Sequence, residues 1–215
     1  MPLLLCDLDG TLVDRVGAFR RWAEDLATRT GQSAAFVEWL VLLDNDGLNP
    51  KDEMYEELRA RIDLDQSLEE FLASYDERYP TYFEPDRAVT AALLLAREAG
   101  WRIAVVTNGY ARQAEKIVAA EVAQLVDVVC ISAIEGFWKP DPRLLEVAAE
   151  RAGVHLHDSW LIGDSAENDI GAATAARVSS VWLRRGRVWP RTDFLPNAEA
   201  DTFAEAVTFV LDSGT

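Results

Sequence analysis

A chain of 215 residues accommodates one domain, or one domain carrying a sizeable insertion. Hydrophobic residues make up 49% of it, enough for a packed core. A formal charge of −16 and a pI near 4.5 repel phosphate backbones and anionic bilayers, so neither nucleic acid nor a membrane surface is an expected partner. No apolar run approaches the about 20 residues of a membrane span, and no basic stretch leads into an apolar one at the start. The expected setting is therefore cytoplasmic, with Cys6 and Cys130 as buried, reduced thiols.

The first element in chain order is the apolar run Leu3–Cys6, read as a strand and followed by Asp7-Leu8-Asp9-Gly10-Thr11. A helical texture comes next, with amphipathic patterns over Val16–Ala27, Ala34–Leu43, Asp52–Ile62 and Ser67–Tyr79. The cluster from Asp44 to Pro50 reads as a turn between the middle two. Strand-like runs resume at Ile103–Thr107, Val126–Ile131, Trp160–Ile162 and Val178–Leu183. Helical patterns over Tyr110–Glu121, Pro140–Ala152 and Glu167–Ala176 separate them. Alternating strands and helices predict an α/β fold with a parallel sheet. The expected division is a core from 1–14 and 85–215, with an all-helical insertion over 15–84.

A buried strand that ends in two aspartates delivers both carboxylates to the edge of the sheet where ligands collect. Two acids there are costly unless something positive neutralises them, and a metal ion would do so. Three later patches share that character. Arg102–Thr107 leads into Asn108-Gly109, Lys139 precedes Pro140, and Trp160–Ile162 runs into Gly163-Asp164-Ser165-Ala166-Glu167-Asn168-Asp169.

Taken together, these patches resemble the haloacid dehalogenase superfamily, most of whose members are Mg²⁺-dependent phosphatases. The resemblance implies a Rossmann-like core and identifies the insertion as a helical cap that selects the substrate. It implies a nucleophile at Asp7, which would take a phosphoryl group from a small phosphorylated metabolite. Asp9, two residues on and expected on the same face, would protonate the leaving oxygen and later deprotonate water. Gly10 would bring backbone N–H groups to the phosphate, while Thr11 hydrogen-bonds the turn. Thr107 would offer its hydroxyl to a phosphate oxygen. Asn108 and Gly109 would act through their backbone at a helix opening near Gly109. Lys139 would bridge Asp7 and the phosphoryl oxygens. Mg²⁺ would sit on Asp7, the backbone carbonyl of Asp9, and Asp164, with Asp169 reaching the metal through water or orienting Lys139.

A dehalogenase needs neither Asp9 nor a metal, because halide leaves without a proton; the second acid therefore favours phosphoryl transfer. Two alternatives share these residues: a phosphosugar mutase, and a non-catalytic protein that binds a phosphorylated ligand. Weaker signals lie elsewhere. Arg15, Arg20, Arg21 and Trp22 follow the first motif and either face the cleft or form a solvated helix face. Lys51, the one lysine of the insertion, offers an imine-forming amine of the kind a phosphonatase relative uses. The Asp44–Glu53 loop fails as a calcium loop, because its first position is Leu42. Arg184, Arg185, Arg187 and Arg191, with Trp182 and Trp189, read as a basic surface loop.

Overall fold

The structure is a computed structural model describing residues 1–213; Gly214 and Thr215, the last residues of the expected core, lie outside the description. In chain order the elements are β1 (Leu3–Cys6), α1 (Arg15–Thr30), α2 (Ala34–Asp44), α3 (Lys51–Arg61), α4 (Leu68–Arg78), α5 (Arg87–Glu98), β2 (Arg102–Thr107), α6 (Gln113–Ala119), β3 (Val128–Ile131), α7 (Ser132–Glu135), α8 (Arg143–Ala152), β4 (Ser159–Gly163), α9 (Gly171–Ala176), β5 (Ser179–Leu183), β6 (Ala198–Ala200) and α10 (Phe203–Ser213). The six strands form one sheet in the order β3-β2-β1-β4-β5-β6, and every pairing is parallel. The chain divides into two compact units: Met1–Val13 with the residues from Pro85 onward, and Asp14–Glu84.

β1 lies between β2 and β4, and all four of its residues are buried. A strand covered on both faces reads as an unbroken apolar run rather than an alternating one. Leu3 and Leu5 pack with Leu144, Leu145 and Ala148 of α8. Each such leucine contributes about 1.5–3 kcal/mol of burial. That packing anchors the strand whose carboxyl end carries Asp7.

Several boundaries differ from the sequence expectation, each for a local reason. The helix expected from Pro140 starts at Arg143. A residue before a proline is pushed out of helical conformation, so Asp141 cannot open a helix ahead of Pro142. The Trp138–Asp141 segment instead makes a turn, closed by the Asp141 N–H on the Trp138 carbonyl, through a cis Lys139–Pro140 peptide. The helix expected from Tyr110 starts at Gln113, because Gln113 and Ala114 donate to Tyr110 and Ala111 in tight three-residue turns. The helix expected over Glu167–Ala176 opens with a wide π-helical turn, Ala166–Ile170. Four elements were not anticipated: α5, α7, β6 and α10. β6 is only Ala-Glu-Ala, which carries no strand signal, and pairing with β5 makes it one. α5 buries Val89, Ala92, Leu93 and Ala96 at helical spacing behind an Asp86 cap, a pattern the sequence does carry. Cys6 and Cys130 are buried and unbridged.

The helical unit has its own core. Asp14 caps α1, Gly31 closes it in left-handed conformation, and Ser67 with Glu70 forms a capping box on α4. Trp22, placed among the candidate cleft residues by the sequence, is buried against Phe19, Phe71 and Tyr75. Arg20 pairs with Glu38 on the surface, and Arg21 donates to the Tyr82 carbonyl.

Arg15 and Lys51 converge on one buried carboxylate. Arg15 reaches Asp44 at 2.7 and 3.1 Å, and Lys51 reaches it at 2.6 Å. The Lys51 ammonium also lies over the Phe19 and Tyr75 rings. Burial tends to raise the Asp44 pKa, but Arg15 and Lys51 overcome it and hold the carboxyl below its ordinary value. A depressed carboxylate pKa contributes stability above the unfolded value and loses it as pH falls through the folded one. Asp44→Asn is therefore expected to cost about 2–4 kcal/mol at neutral pH, with the gap to the parent closing below about pH 4. Urea unfolding at both pH values, followed by tryptophan fluorescence, checks this; a gap independent of pH contradicts it.

Candidate active site

Asp7 continues β1 by one step, its N–H donating to the Ile162 carbonyl at 3.0 Å. Its carboxylate meets the ammonium of Lys139 at 2.8 Å. Lys139 also donates to Asp169 at 2.6 Å and to the Val106 carbonyl at 2.7 Å, so all three of its protons are directed. The lysine is buried, which alone would lower its pKa, but Asp169 and Asp7 raise it above the ordinary value and keep it charged.

Asn108 places this lysine. Its side chain accepts from the Lys139 N–H at 2.8 Å and donates to the Lys139 carbonyl at 2.9 Å. Besides the backbone role expected of Asn108, its side-chain amide clamps the peptide that carries the ammonium.

Asp169 folds back over the end of β4. Its second oxygen accepts from the Ser165 N–H at 2.9 Å. Gly163 makes room, since a Cβ there would lie 2.4 Å from the Asp169 carboxyl carbon. Asp164 is held by three groups from the β5 side. Trp182 Nε1 donates to its carbonyl at 2.8 Å, Arg185 to its carboxylate at 2.7 Å, and Arg187 to the carbonyl at 2.7 Å and the carboxylate at 3.0 Å. The basic loop is therefore more than a surface feature: Arg185 and Arg187 reach inward. Gly10, at φ +80°, admits this approach, because a Cβ would lie 2.5 Å from Arg185 Nη1.

Asp9 is held by a different set of partners. The strand ends at Cys6, and Thr11, Leu12 and Val13 donate to the Leu8 carbonyl in a compact turn. Strand alternation does not extend through that turn. Lys116 meets both Asp9 oxygens at 2.7 Å, and Gln113 Nε2 meets one of them at 2.8 Å. The same Nε2 donates to Thr107 Oγ1 at 2.7 Å. The sequence had singled out neither Gln113 nor Lys116 for the site.

The expected phosphate donors are placed as follows. The Gly10 N–H donates to Val13 and the Gly109 N–H to Ser132 Oγ, each at 2.9 Å. Thr107 is buried, and its hydroxyl lies 3.4 Å from the Asn108 carbonyl. Thr11 does not use its hydroxyl in the turn: Oγ1 is buried without a hydrogen-bond partner, and the backbone N–H makes the bond.

Carboxylate oxygens of Asp7, Asp164 and Asp169 lie within 4.8 Å of one another, and all three residues are buried. Asp9 is not part of that group. Burial pushes the Asp7 carboxyl up to about 7, against the pull of Lys139 and with Asp169 and Asp164 adding to the rise. Burial also raises Asp164, against the pull of Arg185. Buried carboxylates this close together form a surplus of negative charge that a hard divalent cation relieves. An all-oxygen donor set of this size fits Mg²⁺, which keeps several waters.

The family model described as haloacid dehalogenase-like hydrolase matches residues 1–177. A phosphoserine phosphatase of Thermus thermophilus is 29% identical over 86% of this chain and 90% of its own length. A phosphoglycolate phosphatase of Mesorhizobium japonicum is 31% identical over 84% of this chain and 81% of its own. Among solved structures, a HAD phosphatase of Thermococcus onnurineus covers 98% of both chains at 24% identity, with a TM-score of 0.66.

Proposed function

The chain belongs to the haloacid dehalogenase-like hydrolase family, and from that premise we propose that it is a divalent-metal-dependent phosphatase acting on a small phosphomonoester through a phosphorylated Asp7. The observation that carries this reading is the buried Lys139 ammonium, shared between Asp7 and Asp169 at 2.8 and 2.6 Å. A carboxylate attacking a phosphoryl dianion faces like-charge repulsion, and a fixed ammonium beside both offsets it.

Asp7, Asp164 and Asp169 would hold the cation, which supplies Lewis-acid charge compensation to the phosphoryl oxygens. In the first half-reaction an Asp7 oxygen bonds to phosphorus as the ester oxygen departs, and Asp9 gives that oxygen its proton. In the second, water attacks the phosphorylated Asp7, inorganic phosphate leaves, and Asp9 takes the water's proton. Lys139 stays protonated throughout and keeps Asp7 oriented. The helical unit enters the chain directly after the Asp9–Val13 turn, and we assign it the selection of substrate. The named relatives support a small phosphorylated acid as the class to test first.

Purified protein with Mg²⁺ is expected to release phosphate from 4-nitrophenyl phosphate, and more efficiently from one member of a panel of phosphoserine, phosphoglycolate, glyceraldehyde 3-phosphate and nucleoside monophosphates. EDTA should stop the release and added Mg²⁺ restore it. Absence of phosphate release across the whole panel would overturn the proposal.

A further inference from the structure

Asp9 is gripped by two donors from a single helix. Lys116 Nζ lies 2.7 Å from both carboxylate oxygens, and Gln113 Nε2 lies 2.8 Å from one. The two residues stand three apart on α6, so they share a face one turn apart. Gln113 is itself fixed: it is buried, and the same amide nitrogen bonds Thr107 Oγ1 at 2.7 Å. Gly109 leaves it room, since a Cβ there would come within 2.7 Å of Gln113 Cγ. The buried side chain of Ile117 anchors the helix behind them.

A carboxylate that receives N–H donors on both oxygens is presented as a hydrogen-bond acceptor in one orientation. Held in that orientation, it is placed to receive the proton of an attacking water. We propose that Lys116 and Gln113 are positioning residues that hold Asp9 as the proton acceptor for hydrolysis of phosphorylated Asp7. The inference rests on the phosphatase reading and assigns these residues to its second half. In that step the water oxygen bonds to phosphorus, and the bond from phosphorus to the Asp7 oxygen breaks with its electron pair returning to Asp7. The water proton passes to Asp9, leaving inorganic phosphate and a regenerated Asp7 carboxylate. Lys139 already serves Asp7 and Asp169, so the two lysines divide the work: one beside the nucleophile, one beside the base.

The test uses the full chain with Mg²⁺ and 4-nitrophenyl phosphate, whose leaving group departs without needing a proton. kcat/KM then reports the first half-reaction, while kcat includes hydrolysis of the phosphorylated enzyme. Lys116→Met is expected to lower kcat about 10- to 100-fold. Its kcat/KM should stay within about threefold of the parent. Rapid mixing should show a burst of one nitrophenolate per chain, and acid-quenched protein should carry phosphate on Asp7. Lys116→Arg should recover most of kcat, and matching melting curves should show both variants folded. Equal losses in kcat and kcat/KM, or no loss in either, would overturn the positioning role while leaving the phosphatase reading intact. A parent protein that neither releases nitrophenolate nor becomes phosphorylated would overturn the reading itself.

Discussion

Asp7→Asn is expected to lower phosphomonoester turnover by at least about 10⁴-fold while leaving the protein folded and at least as stable as the parent in the absence of metal. The rate loss follows from the chemistry assigned to Asp7: an amide oxygen is a poor nucleophile toward a phosphoryl dianion, and no other carboxylate lies in the same register at the end of β1. The stability expectation follows from charge. Asp7 is a buried carboxyl pushed up to about 7 by burial, with Asp169 and Asp164 adding to the rise. Replacing it by a neutral amide of the same shape removes that repulsion. Lys139 keeps Asp169 at 2.6 Å and the Val106 carbonyl at 2.7 Å, so the ammonium is not stranded. Steady-state assays with 4-nitrophenyl phosphate read the rate, thermal melts in EDTA read the stability, and mass spectrometry of acid-quenched protein should find no phosphorylated enzyme. A variant retaining more than about a tenth of the parent rate would remove Asp7 from the nucleophile's role.

How much of this was legible beforehand depends on whether a residue's job is local or tertiary. β1 was legible because a strand buried on both faces must be apolar throughout, and its run stops where the acids begin. Gly163 drew no reading of its own from the sequence, and the structure shows why a glycine stands there: the Asp169 carboxyl folds back against it. The partners of those acids were not legible. Gln113 and Lys116 look like polar positions on a solvated helix face until the Asp9 turn is brought against them. Arg185 and Arg187 sit in a run of arginines that composition assigns to the surface, and only the return of β5 beside β4 aims them at Asp164. The Asn108 side chain drew no role from the sequence, because its amide works across 31 residues to hold the Lys139 peptide. Strand alternation describes extended chain and the strand ends at Cys6, so alternation alone does not fix where Asp9 points.

Lys139→Met should cost far more stability than Asp7→Asn, although both remove one member of the same buried pair. The methionine fills similar space with no charge, so packing is nearly conserved. What is lost is the one ammonium at 2.8 Å from Asp7 and 2.6 Å from Asp169, two carboxylates that are themselves buried. Removing one partner of a buried ion pair costs about 3–5 kcal/mol, because the other is left desolvated and uncompensated. Here two are left, facing each other. The Asp7 carboxyl, already pushed up to about 7 by burial, then takes up a proton more readily still, so its folded pKa rises further above the unfolded one. A folded state that binds more protons gains stability as pH falls. The deficit of Lys139→Met relative to the parent is therefore expected to be largest near pH 8 and to shrink toward about pH 5. The sign is the same as that expected for Asp44→Asn, but the window lies higher, because the Asp44 carboxyl is held below its ordinary value and its contribution fades only in acid. Urea unfolding of the parent and the variant at the two pH values, in EDTA, reads both the size and the sign. A deficit that grows on acidification, or one below about 1 kcal/mol at pH 8, would mean that Lys139 does not compensate Asp7 and Asp169 in the folded protein. In that event the ammonium proposed to steady the nucleophile would have to be sought elsewhere.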